Sequence, residues 1–136
     1  EQLRIRDIEF LGNVKPVDLH KIYETSDVLV IPSLMEVWGL VVNEALIAGL
    51  TVLSSDTVGA APDLIRRGFN GSMFPPNDKL ELSKLLCECQ RDILRIRKLK
   101  SAISKDAQSR FSLQAAVEVF VQAIHFEKRT IDDQNL

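Results

Sequence analysis

Apolar positions in the first half of the chain fall into short runs separated by one-sided repeats. Ile8-Glu9-Phe10-Leu11 ends at Gly12-Asn13, which predicts a strand followed by a turn. Leu19, Ile22 and Tyr23 then recur at helical spacing after Pro16, predicting a helix that runs to about Ser26. Val28 to Ile31 is an unbroken apolar run closed by Pro32, the pattern of a strand buried on both faces of a parallel sheet. A helix from Leu40 to Ala48 follows, stopped at Gly49, a left-handed cap position. Thr51-Val52-Leu53 reads as the next strand, and Pro62 opens a short helix to Arg67. Asn70-Gly71 reads as a turn before a last strand, Ser72-Met73-Phe74.

From Lys79 onward the pattern is wholly helical. Leu80, Leu82, Leu85 and Leu86 are expected on one face, and Ile93, Leu94, Ile96, Leu99 and Ile103 on another. Leu113, Ala116, Val117, Phe120, Val121 and Ile124 form a third stripe. The expected division is a domain over residues 1–129 and a frayed tail over 130–136. Strand–helix–strand units of this length imply an α/β fold with a doubly wound, Rossmann-like parallel sheet and a helical C-terminal third.

Composition narrows the function. The 136 residues carry 17 basic and 19 acidic side chains, so no basic excess exists to neutralise nucleic-acid phosphates. No apolar run approaches the roughly 18 residues of a membrane span. Two cysteines form no disulfide framework and suit a reducing, cytoplasmic compartment. Cys87 and Cys89 stand about 200° apart around a helix and cannot face one metal ion together. No Asp-x-Asp, Walker-type, dinucleotide or nucleophile-elbow motif occurs. Arg91, Arg95, Arg97, Lys98 and Lys100 form a basic cluster, read as a solvated helix face or as a peripheral membrane contact.

Chemistry is expected after Pro32. In open parallel sheets ligands bind beyond the carboxyl ends of the strands, where Ser33 to Leu40 lies. Gly39 allows a close backbone approach, and the first amides of the next helix, near Leu40, Val41 and Val42, have no partner within it. With the helix dipole they form an anion site suited to a diphosphate. Glu36 and Glu44 flank this helix start with seven residues between them. By type alone Glu36 suits a capping role and Glu44 a solvated helix position. Yet Val41, Val42, Ala45 and Leu46 surround Glu44, so burial is expected, and a buried carboxylate needs a partner such as a ligand's vicinal hydroxyls.

The run from Pro32 to Ala45 resembles the signature P-S-x-x-E-x-[FW]-G-L-x-x-x-E-A of the group 1, retaining, GT-B-fold glycosyltransferases. The similarity continues collinearly through Ala48 to Val52, Val58 to Ile65 and Asn70 to Phe74, and upstream through Phe10 to Val14 and Leu19 to Tyr23. It covers residues 8–130. The resemblance implies that Glu36 lies by the donor sugar as the catalytic carboxylate and that Glu44 binds the ribose hydroxyls. It further implies that the backbone of Trp38, Gly39, Leu40 and Val41 faces sugar and diphosphate, and that Gly12, Asn13, Val14 and Lys15 lie near the base. Members transfer the sugar with retention and need no metal or other cofactor.

Val37 replaces a frequent glycine of the pattern, and Thr51 a frequent proline. Family members also have an N-terminal acceptor domain and two earlier strand–helix units, whose arginine and lysine clamp the diphosphate. The chain is therefore expected to be the last part of a donor domain, inactive alone and completed by the N-terminal portion or a partner chain. In the family's strand order 3-2-1-4-5-6, Ile8 to Leu11 would be separated from Val28 to Ile31 by two missing strands. It must then be joined by a partner or repack. The alternative reading is a non-catalytic truncated module that docks on a partner through its C-terminal helix.

Overall fold

The computed structural model describes residues 8–111 and, beyond them, Gln114, Val117, Glu118 and Val121. Three parallel strands, β1 (Val28–Ile31), β2 (Thr51–Ser55) and β3 (Gly71–Phe74), form a sheet in the order β1-β2-β3. Helices α1 (Pro16–Thr25), α2 (Leu40–Ile47) and α3 (Ala61–Leu64) occupy the first half with them. Helices α4 (Lys79–Arg91) and α5 (Ile93–Phe111) follow.

Strand alternation divides the core between the two faces of the sheet. Leu29, Ile31 and Val52 join Val42, Leu46, Leu64 and Ile103 on the face covered by α1, α2, α3 and α5. Val28, Val30 and Leu53 join Phe74 and Leu85 on the face covered by α4. Central strand β2 is buried throughout, whereas β1 is mostly half-buried, because its outer edge has no neighbour among the described residues. The expectation that β1 is buried on both faces therefore holds only at Ile31.

Ile8 to Leu11 is not a strand. It is irregular, with Ile8, Phe10 and Leu11 exposed, because among the described residues no strand lies beside it to take its ladder bonds. Helix α3 ends at Leu64, short of the expected Arg67, because Asn70 terminates it. The buried Asn70 amide donates to the Leu64 carbonyl and accepts from the Arg66 amide. Asn70 closes the turn before β3, as its sequence predicts, and its buried side chain also locks that turn to the end of α3.

Two expected helical faces are narrower than their periodicity. On α4 only Leu85 is buried, and Leu80 projects into solvent, since the α4 side of the sheet offers only a small cluster. On α5 Ile96 and Ile103 are buried and Leu94 is exposed. Of the third stripe, Val117 and Val121 are helical and exposed. Leu113, Ala116, Phe120 and Ile124 lie outside the described residues, as does the tail.

Helix α5 fastens the turns that enter β1 and β2. The Arg97 guanidinium donates to both carboxylate oxygens of Asp27, and Lys100 caps the carbonyls of Glu24 and Ser26. Ser104 donates to the Ile47 carbonyl, and Gly49, at φ 86°, sits against the Lys100 carbonyl. Arg95 donates to the Gly68 carbonyl. Three members of the basic cluster therefore have internal partners.

The Arg97 hydrogen bond holds the Asp27 carboxyl below its usual range. Its stabilisation is present above the unfolded aspartate value near 3.9 and is lost as pH falls through the lower folded value. In acid unfolding curves, the stability difference between the wild type and Asp27→Asn is expected to be full above the unfolded aspartate value near 3.9 and to shrink as pH falls below it. Equal separation at every pH would refute this account.

Candidate functional site

The loop between β1 and α2 is held by the loop between β2 and α3. Ser55 and Thr57 hydroxyls both donate to the Ser33 carbonyl. The Glu36 amide donates to the Thr57 carbonyl at 3.3 Å, and the Glu36 carbonyl accepts from the Gly59 amide at 2.9 Å. The Trp38 carbonyl accepts from Ala60 at 2.8 Å. Glu36 and Val58 consequently form an isolated parallel bridge beyond the carboxyl ends of β1 and β2. Gly59 is the closest-fitted part of this seam, since a Cβ there would clash with the Val37 carbonyl oxygen.

Gly39 turns the chain into α2 at φ 87°, a conformation that L side chains rarely adopt. A Cβ at Gly39 would also stand 2.8 Å from Val58 and 3.2 Å from the Glu36 side chain. Among the described residues, the amides of Gly39, Leu40 and Val41 have no acceptor, while the Val42 amide bonds back to the Gly39 carbonyl. The Trp38 amide differs. It donates to Glu36 Oε1 at 3.4 Å, so Glu36 makes a long local contact in the absence of any other donor. Of the four expected backbone donors, three are open and Trp38 is taken by Glu36. The Trp38 side chain is exposed, as are those of Val37 and Leu40.

Glu44 stands one turn further along α2 and departs from expectation. It is exposed, because α2 has a buried stripe of Val42, Ala45 and Leu46 and an outward stripe of Leu40, Val41 and Glu44. The apolar character of Leu40 and Val41 suggested burial all round, but both project from the first turn. Glu44 also has a protein partner, since the buried Tyr23 hydroxyl donates to its Oε2 at 3.0 Å. Burial pushes the Tyr23 phenol up to about 12, with the Glu44 hydrogen bond and charge adding to the effect. The sequence places Tyr23 on a helix and in the collinear Leu19 to Tyr23 segment, without assigning its hydroxyl a partner. Its signal was that of a chain's single tyrosine on the inner face of an amphipathic helix, where its hydroxyl needs a partner.

Gly12, Asn13, Val14 and Lys15 form an exposed or half-exposed lead-in to α1. Gly12 is left-handed at φ 64°, and the Lys15 carbonyl accepts from the Asp18 amide. No hydrogen bond joins this lead-in to Glu44 or to the Glu36 loop among the described residues. Arg66 is engaged with Asp106 at 2.5 Å and stacks 4.6 Å over Phe69. Among the described residues, no three of His, Cys, Asp and Glu converge as a metal site.

The seam thus presents open amides at the start of α2, flanked by two carboxylates. The profile of the family described as "Glycosyl transferases group 1" matches residues 1–110. The chain belongs to this family. An uncharacterized glycosyltransferase of Methanocaldococcus jannaschii is 41% identical over 78 residues, 56% of this chain and 20% of that protein. Sucrose-phosphate synthase from Thermosynechococcus elongatus superposes with a TM-score of 0.75 at 25% identity, covering 90% of this chain and 30% of its own. Anabaena HepE in complex with UDP superposes with a TM-score of 0.68 at 23% identity, covering 77% of this chain and 29% of its own. The chain therefore spans about a fifth of its archaeal relative and under a third of each solved structure. Its α/β architecture is the Rossmann-like, parallel-sheet architecture of this glycosyltransferase family's GT-B fold.

Proposed function

We propose that this chain supplies the nucleotide side of the donor site of a retaining, hexosyl-type glycosyltransferase. The donor is a nucleotide-diphosphate sugar, and the acceptor is bound by the remainder of the enzyme. One observation carries the reading: the left-handed turn at Gly39 opens α2 with three unpartnered amides between Glu36 and Glu44. Those amides and the positive end of the helix would take the diphosphate and stabilise the charge that builds on it as it leaves. Glu44 would hold the ribose, Glu36 would face the sugar, and Gly12 to Lys15 would border the base. The UDP of the Anabaena neighbour supports a nucleoside diphosphate as ligand.

Transfer needs the N-terminal acceptor portion, so the isolated chain should bind without turning over. The free cysteines Cys87 and Cys89 suit a cytoplasmic enzyme, and polysaccharide biosynthesis is the proposed setting. Arg91 and Lys98 have no internal ion pair among the described residues and could serve a peripheral membrane contact of the full enzyme.

Trp38 is the only tryptophan in the chain and lies in this loop, so its emission reports on the site. Titration with UDP, GDP, ADP and their sugar conjugates is expected to give a saturable change for one base. Glu44→Gln should weaken that binding by about tenfold or more, the usual loss when a hydrogen bond to a charged group is removed. A folded chain that binds none of them would overturn the reading and favour the docking module, for which exposed Val117 and Val121 offer a surface.

A further inference from the structure

Glu44 lies on the wall of a groove of about 390 Å³ between α1 and α2, whose other lining residues include Leu19, His20, Tyr23 and Ile47. Tyr23 is buried and its hydroxyl engages only one carboxylate oxygen, Oε2. Oε1 has no donor among the described residues. A glutamate on an open helix face has several rotamers, and a fixed donor on one oxygen selects among them. The ring of Tyr23 is itself fixed by core contacts, so the donor is rigid.

From this we infer that Tyr23 is a positioning residue that orients Glu44 for a vicinal diol and so sets the preference for ribonucleotides over diol-lacking analogues. The inference rests on the ribose role proposed for Glu44. Tyr23 does not touch the ligand in this scheme. It removes the cost of fixing a mobile carboxylate at the moment of binding and keeps Oε1 free to accept from the ribose. The phenol remains protonated through the physiological range, because burial and the Glu44 carboxylate raise it to about 12. It is therefore a constant donor rather than a switch.

The test uses the 136-residue chain with UDP, ADP and GDP and the 2′,3′-dideoxy form of whichever binds. Tyr23→Phe is expected to weaken the ribonucleotide roughly tenfold and leave the dideoxy form unchanged. Adding Tyr23→Phe to Glu44→Gln should cost nothing further. Equal weakening of both ligands would make Tyr23 merely structural and overturn the inference. Loss with Glu44→Gln but not with Tyr23→Phe would overturn the inference alone, whereas a harmless Glu44→Gln would remove the ribose role and the inference together. A second readout needs no nucleotide. Tyr23 is the chain's single tyrosine, so absorbance titration reads it alone. Glu44→Gln should lower its ionisation toward, but not to, the ordinary value near 10. Identical titrations in the two proteins would show that the contact does not form and would also overturn the inference.

Discussion

Gly59→Ala is expected to disable the site while leaving most of the fold standing. The new methyl group would clash with the Val37 carbonyl oxygen, so the loop bearing Glu36 and Trp38 must move away from residues 57–60. That movement breaks the bond from the Gly59 amide to the Glu36 carbonyl and strains the bond from Ala60 to Trp38. Forced overpacking of this kind costs about 1–3 kcal/mol, and here it falls first on a loop. Gly59 itself is exposed and outside the core cluster, but it lies between the buried Val58 and Ala60, so part of the strain reaches the core. The thermal midpoint should therefore drop modestly, while saturable nucleotide quenching of Trp38 is lost. Gly68→Ala is the matched control. Gly68 is also left-handed, at φ 80°, but a Cβ there meets nothing within 4 Å. It should cost about 1–2 kcal/mol of backbone strain and leave binding intact. If both variants bind alike, the seam between the two loops does not shape the site.

The contrast between these glycines shows where a sequence is legible. Repeats and breakers located β1, α2, the left-handed Gly49 and the helices between Lys79 and Phe111 closely, because each is defined by local spacing. Ile8 to Leu11 had a strand's composition but not its environment, since a strand exists only where another edge takes its hydrogen bonds. Leu80 and Leu94 had a helical period, yet among the described residues nothing covers them.

At the site, the Pro32 to Ala45 signature marked the loop and both carboxylates. It did not reveal that Ser55, Thr57 and Gly59 fasten the loop from 20 or more residues away. Nor did it reveal that Tyr23 reaches Glu44 from another helix. Such contacts depend on which elements become neighbours in space. They leave no period in the chain.

Glu36→Gln in the complete enzyme is expected to separate binding from transfer. The backbone of Glu36 is fixed at both its amide and its carbonyl by the β2–α3 loop, so the amide side chain should occupy the same place. What changes is charge. The carboxylate is exposed at the rim and bonded only weakly, at 3.4 Å, to the Trp38 amide. A sugar hydroxyl is a better donor at a shorter distance and would displace that contact. As the sugar–diphosphate bond stretches, positive charge builds on the ring and negative charge on the diphosphate. A carboxylate beside the ring would then interact more strongly with the transition state than with the bound donor, which is the condition for raising kcat. Removal of one such group typically costs about 10²–10³-fold in rate. The nucleoside diphosphate should bind Glu36→Gln as tightly as wild type, because its proposed contacts are Glu44 and the amides of Gly39, Leu40 and Val41. Transfer assayed with the full donor should fall by about a hundredfold at an almost unchanged KM. A variant that lost nucleotide affinity and transfer together would place Glu36 on the nucleotide instead of the sugar. One that kept full transfer would return Glu36 to a capping role at the start of α2.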